Sequence, residues 1–379
     1  MRVLLVSSNG ADLFYGGAER YVHDLRVGLE AVGHEVAVLS AFPTKADDSP
    51  VLRVLHRSDW HESRTRRYRN HLRDWIAPAS ASLGEVVREL RPDIVHTNNL
   101  PGISTGIWEQ ARILGLPVVH TLHDYHLLCP RTSLTQADGA PCRPHPLLCG
   151  LRSRRMARWL PGVDAVIGVS GHVLDRHEDI FPPSLQRHVI RPPLVPIIGG
   201  VQAPSAASLT TLGYIGTLTA DKGIRVVLEA AARLAEQGVR VRVAGGGPLQ
   251  DEVRAAEGVE YEGRLAGQEL ASFLRTCDVG VVASLWEEPG LSFAALEWLS
   301  AGRPVLTTGR GGLAELSRFG GVVSYDATAA GLVATVGKLR VPERWQAISA
   351  AVPVVEDDRD LQRWVDAHRA IYDQVRKAA

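Results

Sequence analysis

LTTLGYIGTLTADKGIRVVLEAAARLAEQ, residues Leu209–Gln237, carries a strand, a glycine-bearing break and a helical period in succession. Its opening, Leu209–Gly216, is apolar, partly β-branched and of strand length. Gly216-Thr217-Leu218-Thr219-Ala220-Asp221-Lys222-Gly223 breaks that pattern, and a helix is predicted over Ile224–Gln237. Strand, glycine-bearing turn and helix in that order make half of a βαβ unit. Such a turn presents free backbone N–H groups and the positive end of a helix dipole, and Lys222 adds a mobile charge suited to phosphate.

Working outward, the same alternation fills the chain. Further strands are predicted in this half at Arg240–Ala244, Val259–Glu262, Val279–Ala283 and Val305–Thr308, with helices at Pro248–Ala256, Gly267–Arg275 and Leu291–Ala301. The first half offers strands at Arg2–Ser8, Glu35–Ala41, Asp93–Asn98, Pro117–Leu122, Ala165–Ser170 and His188–Pro192, and helices such as Glu19–Val32 and Ala81–Leu90. Most of these strands are near-continuous apolar runs, as expected under helices on both faces. Leu194–Ser208 is rich in Pro and Gly and carries no charge, which reads as a linker. Asp358–Lys377 places Leu361, Trp364, Val365, His368, Ile371, Tyr372 and Val375 on one stripe of a long helix. The expected class is α/β with two Rossmann-like domains, 1–194 and 209–357, a linker at 195–208 and a C-terminal helix at 358–379. Two such domains imply a cleft, with ligands at the strand C-termini.

Composition narrows the function. With 379 residues, 42 Lys+Arg against 42 Asp+Glu and zero net charge, a general nucleic-acid binder is disfavoured. Four Cys make no disulfide scaffold and fit a reducing compartment. No uninterrupted apolar stretch is long enough to span a membrane, and Met1 leads directly into a strand-like run without a basic leader. A cytoplasmic protein is therefore expected. Ser7-Ser8-Asn9-Gly10 after the first strand is not the G-x-G-x-x-G of a dinucleotide oxidoreductase.

Two further segments carry chemistry. Ala244-Gly245-Gly246-Gly247-Pro248 is a second glycine-rich turn after a strand, with Pro suited to the first helical position. Ser284–Glu297 (SLWEEPGLSFAALE) leads into a helix whose Glu297 stands among apolar neighbours, where sugar hydroxyls are fitting partners for a carboxylate.

Taken in order, Gly16-Gly17-Ala18-Glu19-Arg20, Asp93-Ile94-Val95-His96, Thr121-Leu122-His123-Asp124, Lys222-Gly223, Gly245–Pro248, Tyr261-Glu262-Gly263-Arg264, Asp278…Ser284 and Glu297…Ala301-Gly302-Arg303-Pro304-Val305 resemble the family-four, retaining GT-B glycosyltransferases. The resemblance covers nearly the whole chain, and His123–Pro130 (HDYHLLCP) is similar to a subgroup found in exopolysaccharide and antibiotic glycosylation. It implies transfer of a hexosyl-type sugar from a nucleotide-diphosphate donor to a hydroxyl acceptor, with no cofactor and no metal, and a C-terminal helix crossing back to the first domain. Position by position, it implies Gly16 and Gly17 near the donor phosphate and His123 at the sugar. Lys222 then falls on the diphosphate, Arg264 and Leu265 beside the base, Glu297 on the ribose and Glu288 at the sugar hydroxyls. Gly245 and Gly247 complete the donor set.

Two departures stand out. Thr217 occupies a position where the family has Arg, so one cation on the leaving group is missing unless Arg310 or Arg264 replaces it. Eight residues separate Glu288 from Glu297, where the family has seven. Both leave open a GT-B epimerase, a pseudo-glycosyltransferase or a non-catalytic nucleotide-sugar-binding homologue.

His120, His123 and His126 recur every third residue, but a strand entering a loop does not aim all three together, so one ligand-facing His123 is favoured over a metal. Cys129, Cys142 and Cys149, with His126 and His145, form a weak structural-zinc candidate against reduced loop thiols. Two arginine groups, Arg64, Arg66, Arg67, Arg69 and Arg73 with interleaved Tyr68, Leu72 and Trp75, and Arg152, Arg154, Arg155 and Arg158, read either as solvated helix faces or as contacts to an anionic acceptor or the inner membrane face.

Overall fold

A computed structural model describes residues 1–8, 16–41, 52–54, 82–136, 142, 146–197 and 208–378. Arg64–Arg73, His145 and most of the expected linker lie outside these.

The described residues form two compact units. The first, drawn from Met1–Leu134, Cys142–Pro192 and Gln362–Ala379, is built on seven parallel strands in the order β3-β2-β1-β4-β5-β6-β7. These are β1 Arg2–Ser7, β2 Glu35–Ser40, β3 Leu52–Val54, β4 Ile94–Thr97, β5 Val118–Leu122, β6 Ala165–Gly168 and β7 Gln186–Val189. Its helices are α1 Gly17–Ala31, α2 Ser82–Leu90, α3 Gly106–Ile113, α4 Leu147–Ala157 and α5 Gly171–His177.

The second unit has six parallel strands, β10-β9-β8-β11-β12-β13: β8 Thr211–Thr217, β9 Arg240–Gly246, β10 Val259–Tyr261, β11 Val279–Val282, β12 Val305–Thr307 and β13 Val322–Ser324. Its helices are α6 Ile224–Glu236, α7 Gln250–Ala255, α8 Gly267–Thr276, α9 Phe293–Ser300, α10 Ala329–Leu339 and α11 Pro342–Ala350. The expected α/β class with two doubly wound sheets is therefore what the chain forms.

The last helix, α12 Arg359–Ala378, buries Trp364, Val365, His368, Ile371, Tyr372 and Val375, and these residues belong to the first unit. Gly28 of α1 makes that packing close, since a Cβ there would sit 2.4 Å from Val365 Cγ2. The predicted apolar stripe is thus a core face.

Three expectations need correction. The seventh strand is Gln186–Val189, earlier than His188–Pro192, because Pro192 and Pro193 have no N–H for a ladder. Pro248 precedes its helix, which starts at Gln250. Three-residue edge strands β3 and β13 and helices α10 and α11 were not expected from periodicity.

Aspartates at the entries of strands pin the sheets. Asp93 accepts Arg2 N–H at 2.7 Å, Asp164 accepts Val118 N–H at 2.7 Å, and Asp278 accepts the N–H groups of Thr210 and Thr211 at 2.8 and 2.9 Å. In the second unit, apolar clusters cover both sheet faces. Trp298 of α9 fits where strands β8 and β11 carry glycines: a Cβ would lie 2.4 Å from its ring at Gly213 and 2.2 Å at Gly280. That fit docks α9 directly over the β8–β11 pair. In each sheet the strand order reverses beside the first strand, between β1 and β4 and between β8 and β11. The C-terminal edge of such a reversal is where open α/β sheets hold ligands.

Candidate active site

In the second unit, both loops leaving the reversal carry charged side chains, and they meet. Lys222 follows β8, Glu288 follows β11, and Lys222 Nζ lies 2.6 Å from Glu288 Oε1. The Glu288 side chain is 6% exposed and that of Lys222 32%, so the pair is buried on the carboxylate side and open on the ammonium side. Ser284 Oγ donates a short hydrogen bond to the same carboxylate oxygen. The ammonium also sits over the Trp286 ring, 4.9 Å from its centroid.

The loops are tied to each other by backbone. Leu285 N–H donates to Asp221 O at 2.8 Å, and Gly312 N–H donates to Glu288 O at 2.6 Å. Glu288 also bridges Gly311, whose φ of +62° only glycine adopts readily. Between Glu288 and Glu297, Ser292, at φ +64°, immediately precedes α9. Glu288 lies at Lys222, and Glu297 sits half-buried on α9.

Gly223 makes the Lys222 turn possible. Its φ is +73°, and a Cβ would lie 1.8 Å from Ala283 O. Gly223→Ala is expected to cost about 3 kcal/mol or more, from backbone strain and overpacking together. A thermal melt checks this, and a variant melting with the wild type would contradict the described constraint.

The glycine turns gather on the same edge. Gly216 pairs with Gly245 and Thr217 with Gly246 in register, and Leu218 N–H donates to Gly246 O at 3.1 Å. A Cβ on Gly245 would lie 1.9 Å from Gly216 O, and one on Gly247 2.7 Å from Leu218 O. Tyr261 OH donates to Gly245 O at 2.8 Å, and Gly245 N–H donates to Gly263 O at 2.7 Å, which brings in the third loop. Its Arg264 lies against Gly246, where a Cβ would meet Nε at 2.3 Å. Thr217 is exposed at the strand end, beside that arginine's glycine. Arg310 donates to Leu285 O at 2.5 Å. Leu265 lies half-buried beyond Arg264.

In the first unit, Gly16 and Gly17 are exposed at the start of α1, Asn98 follows β4 and His123 follows β5. His123 Nε2 and Asn98 Oδ1 are 2.9 Å apart. The Asn98 amide nitrogen faces two carbonyls, of Val6 at 3.5 Å and His96 at 3.4 Å, which only accept. Oδ1 must therefore accept from the imidazole, and His123 carries its proton on Nε2 with an open lone pair on Nδ1. Burial, with smaller contributions from His120 and His368, holds the His123 pKa down to about 3, so the ring is neutral at pH 7.

Behind His123 lies a buried polar shell. The Tyr21 ring meets His123 edge-on at 4.6 Å, and Tyr21 OH is 2.7 Å from His368 Nε2. His96 is held between Thr121 Oγ1 at 2.7 Å and Tyr372 OH at 2.6 Å. Asp124 accepts His126 N–H at 2.7 Å, and burial, reinforced by Glu19, raises its pKa to about 6.

Of the residues singled out in the sequence, Lys222, Glu288 and the glycine turns lie on one sheet edge of the second unit and His123 lies in the first; Ser284, Trp286, Asn98 and Tyr21 were not expected as their partners. Their signal is position alone: Ser284 and Asn98 follow central strands. The histidines separate as expected, His120 bonding Thr97 Oγ1 at 2.9 Å within the sheet. Cys129, Cys142 and Cys149 are free thiols, and no three His, Cys, Asp or Glu among the described residues are grouped to hold a metal; His145 of the zinc candidate lies outside those residues. Arg152 is buried and donates to His126 O at 2.7 Å, so it is no part of a surface group.

This doubly wound pair with charged loops at its strand reversals belongs to a known class. Residues 15–194 match Glycosyltransferase Family 4 and residues 210–340 match Glycosyl transferases group 1. Together the two matches span most of the chain, which belongs to these GT-B glycosyltransferases. It is 29% identical to glycogen synthase of Mycobacterium tuberculosis, covering 89% of this chain and 85% of that protein. Among solved structures it is similar to sucrose-phosphate synthase from Thermosynechococcus elongatus, with TM-score 0.72, 16% identity and full coverage of both chains. HepE of Anabaena in complex with UDP matches with TM-score 0.68 and 16% identity, over 98% of this chain and all of that one.

Proposed function

We propose that this glycosyltransferase moves a hexosyl-type sugar from a nucleotide-diphosphate donor to a hydroxyl acceptor of a polysaccharide, glycolipid or secondary metabolite, with retention and without a metal. The observation that carries this is the Lys222–Glu288 pair at the β8–β11 reversal, flanked by two glycine turns. Cleaving a glycosyl–phosphate bond builds negative charge on the diphosphate. Lys222, the backbone amides of the Gly216–Gly223 and Gly245–Gly247 turns and the N-terminus of α6 supply the opposing field. In this reading Lys222 exchanges its Glu288 partner for phosphate as the donor binds. Glu288, fixed by Ser284, then turns to the sugar hydroxyls.

Arg264, lying over Gly246 beside Thr217, is the cation best placed to stand in for the missing arginine. Arg264 and Leu265 flank the base, Glu297 takes the ribose, and Gly16 and Gly17 approach the donor phosphate. His123, neutral and with Nδ1 open, accepts a hydrogen bond from the sugar; it is no proton donor. The subgroup resemblance at His123–Pro130 favours exopolysaccharide or antibiotic acceptors. Contact with an anionic or membrane-bound acceptor falls to Arg154, Arg155 and Arg158 of the first unit.

The test is a thermal-shift screen with UDP, GDP, ADP and TDP, followed by mass spectrometry of products from matching nucleotide sugars. At least one nucleotide is expected to raise the melting temperature by several degrees, as linkage requires of a ligand far above its Kd. No shift with any of the four would overturn the reading.

A further inference from the structure

We propose that α4 is a docking helix for an anionic lipid bilayer. Leu147, Leu148 and Leu151 are 88%, 74% and 56% exposed, although large apolar side chains in this fold are mostly buried. A Cβ added at Gly150 would meet nothing within 4 Å, so the same turn is open. Three leucines side by side on one turn form a patch, unlike singly scattered apolar residues, and such patches mark interaction surfaces.

The occupant follows from charge. Positions 147, 148, 151, 154, 155 and 158 recur at spacings that share one helix face. That face begins with the three leucines and continues with exposed Arg154 and Arg158 and half-buried Arg155, while Arg152, Ser153 and Met156 turn inward. Four Arg and no Asp or Glu occur from Leu147 to Gly162, in a chain whose net charge is zero. Trp159, half-buried with the Arg158 guanidinium 4.3 Å from its ring centroid, closes the surface. Leucines to enter the acyl boundary, arginines for lipid phosphates and an interfacial tryptophan are the complement of an anionic membrane surface. An acidic protein partner would match the arginines but leave the leucine turn without a counterpart.

The experiment is co-sedimentation of the full chain with vesicles of phosphatidylcholine alone or with phosphatidylglycerol added. Binding is expected with the anionic vesicles, weakening as salt rises. The triple substitution L147S/L148S/L151S and the pair R154E/R158E are each expected to lower the bound fraction about tenfold or more. All these side chains are solvent-facing, so melting temperature and nucleoside-diphosphate shift should match the wild type. A failed docking proposal thus stays separate from a failed transferase reading. Equal sedimentation of wild type and both variants would overturn the proposal. So would absence of vesicle binding together with a concentration-dependent dimer that the leucine substitutions abolish, which would assign the patch to a second copy of the chain.

Discussion

Lys222→Ala is expected to lower turnover at saturating donor by about two orders of magnitude or more, as loss of an electrostatic donor to a developing anion does elsewhere. Two effects add. The substitution removes the ammonium paired at the β8–β11 reversal, and it leaves the Glu288 carboxylate, 6% exposed, with only the Ser284 hydroxyl as its described side-chain partner. An uncompensated buried carboxylate would repel the incoming diphosphate, so the loss should exceed that of a simple charge deletion. Double substitution Lys222→Ala with Glu288→Gln should then bind nucleotide better than Lys222→Ala alone, although it remains slow. Steady-state rates with a fixed donor and calorimetric nucleotide affinities read the two effects separately. Equal turnover of Lys222→Ala and wild type would remove Lys222 from the diphosphate.

The second large effect is acid destabilisation of the first unit. His96, His120, His123, His177 and His368 all have pKa values lowered chiefly by burial, to about 3 for His120 and His123, about 4 for His177 and His368, and well below the usual value for His96. The sign follows directly. Below the unfolded value near 6.5 the unfolded chain binds protons that the fold excludes, so stability falls as pH falls. At pH 5 each histidine held at about 3 or 4 costs about 2 kcal/mol, roughly 8 kcal/mol for those four, with His96 acting in the same direction, against a total folding stability of about 5–15 kcal/mol. Asp124 opposes this, since its pKa of about 6 lets the fold hold a proton that the unfolded chain releases. Its contribution at pH 5 is about 1 kcal/mol, too small to cancel the histidines. The melting temperature should therefore fall by roughly 10 °C or more between pH 7.5 and 5.5, given a few degrees per kcal/mol. Tryptophan fluorescence and circular dichroism melts across that window check it, and a flat profile would show that these rings are solvated.

Period and composition were enough to reveal the strand–turn–helix units, the two parallel sheets and the glycine turns at strand ends. These depend on local rules: β-branched runs, helical spacing and glycine at positive φ act within one segment. The apolar stripe of α12 was legible for the same reason, whereas its place in the first unit was implied by the family resemblance and not by the period. The aspartates show the limit from the other side. Asp93 and Asp278 stand in family-like motifs, and in the fold they cap backbone N–H groups of neighbouring strands.

Which polar groups face each other is settled by the assembled sheets. Lys222 and Glu288 are 66 residues apart, and they meet because β8 and β11 are neighbours across the strand reversal. Spacing within one segment carries no record of that adjacency. The proton on His123 likewise depends on Asn98 from another strand and on carbonyls that fix its amide. Arg152 reverses its sequence expectation by turning inward to a carbonyl, while the leucines of α4 face water. Hydropathy states what a side chain prefers; strand order and helix docking settle what it touches, because burial is a property of the assembled layers and not of the segment.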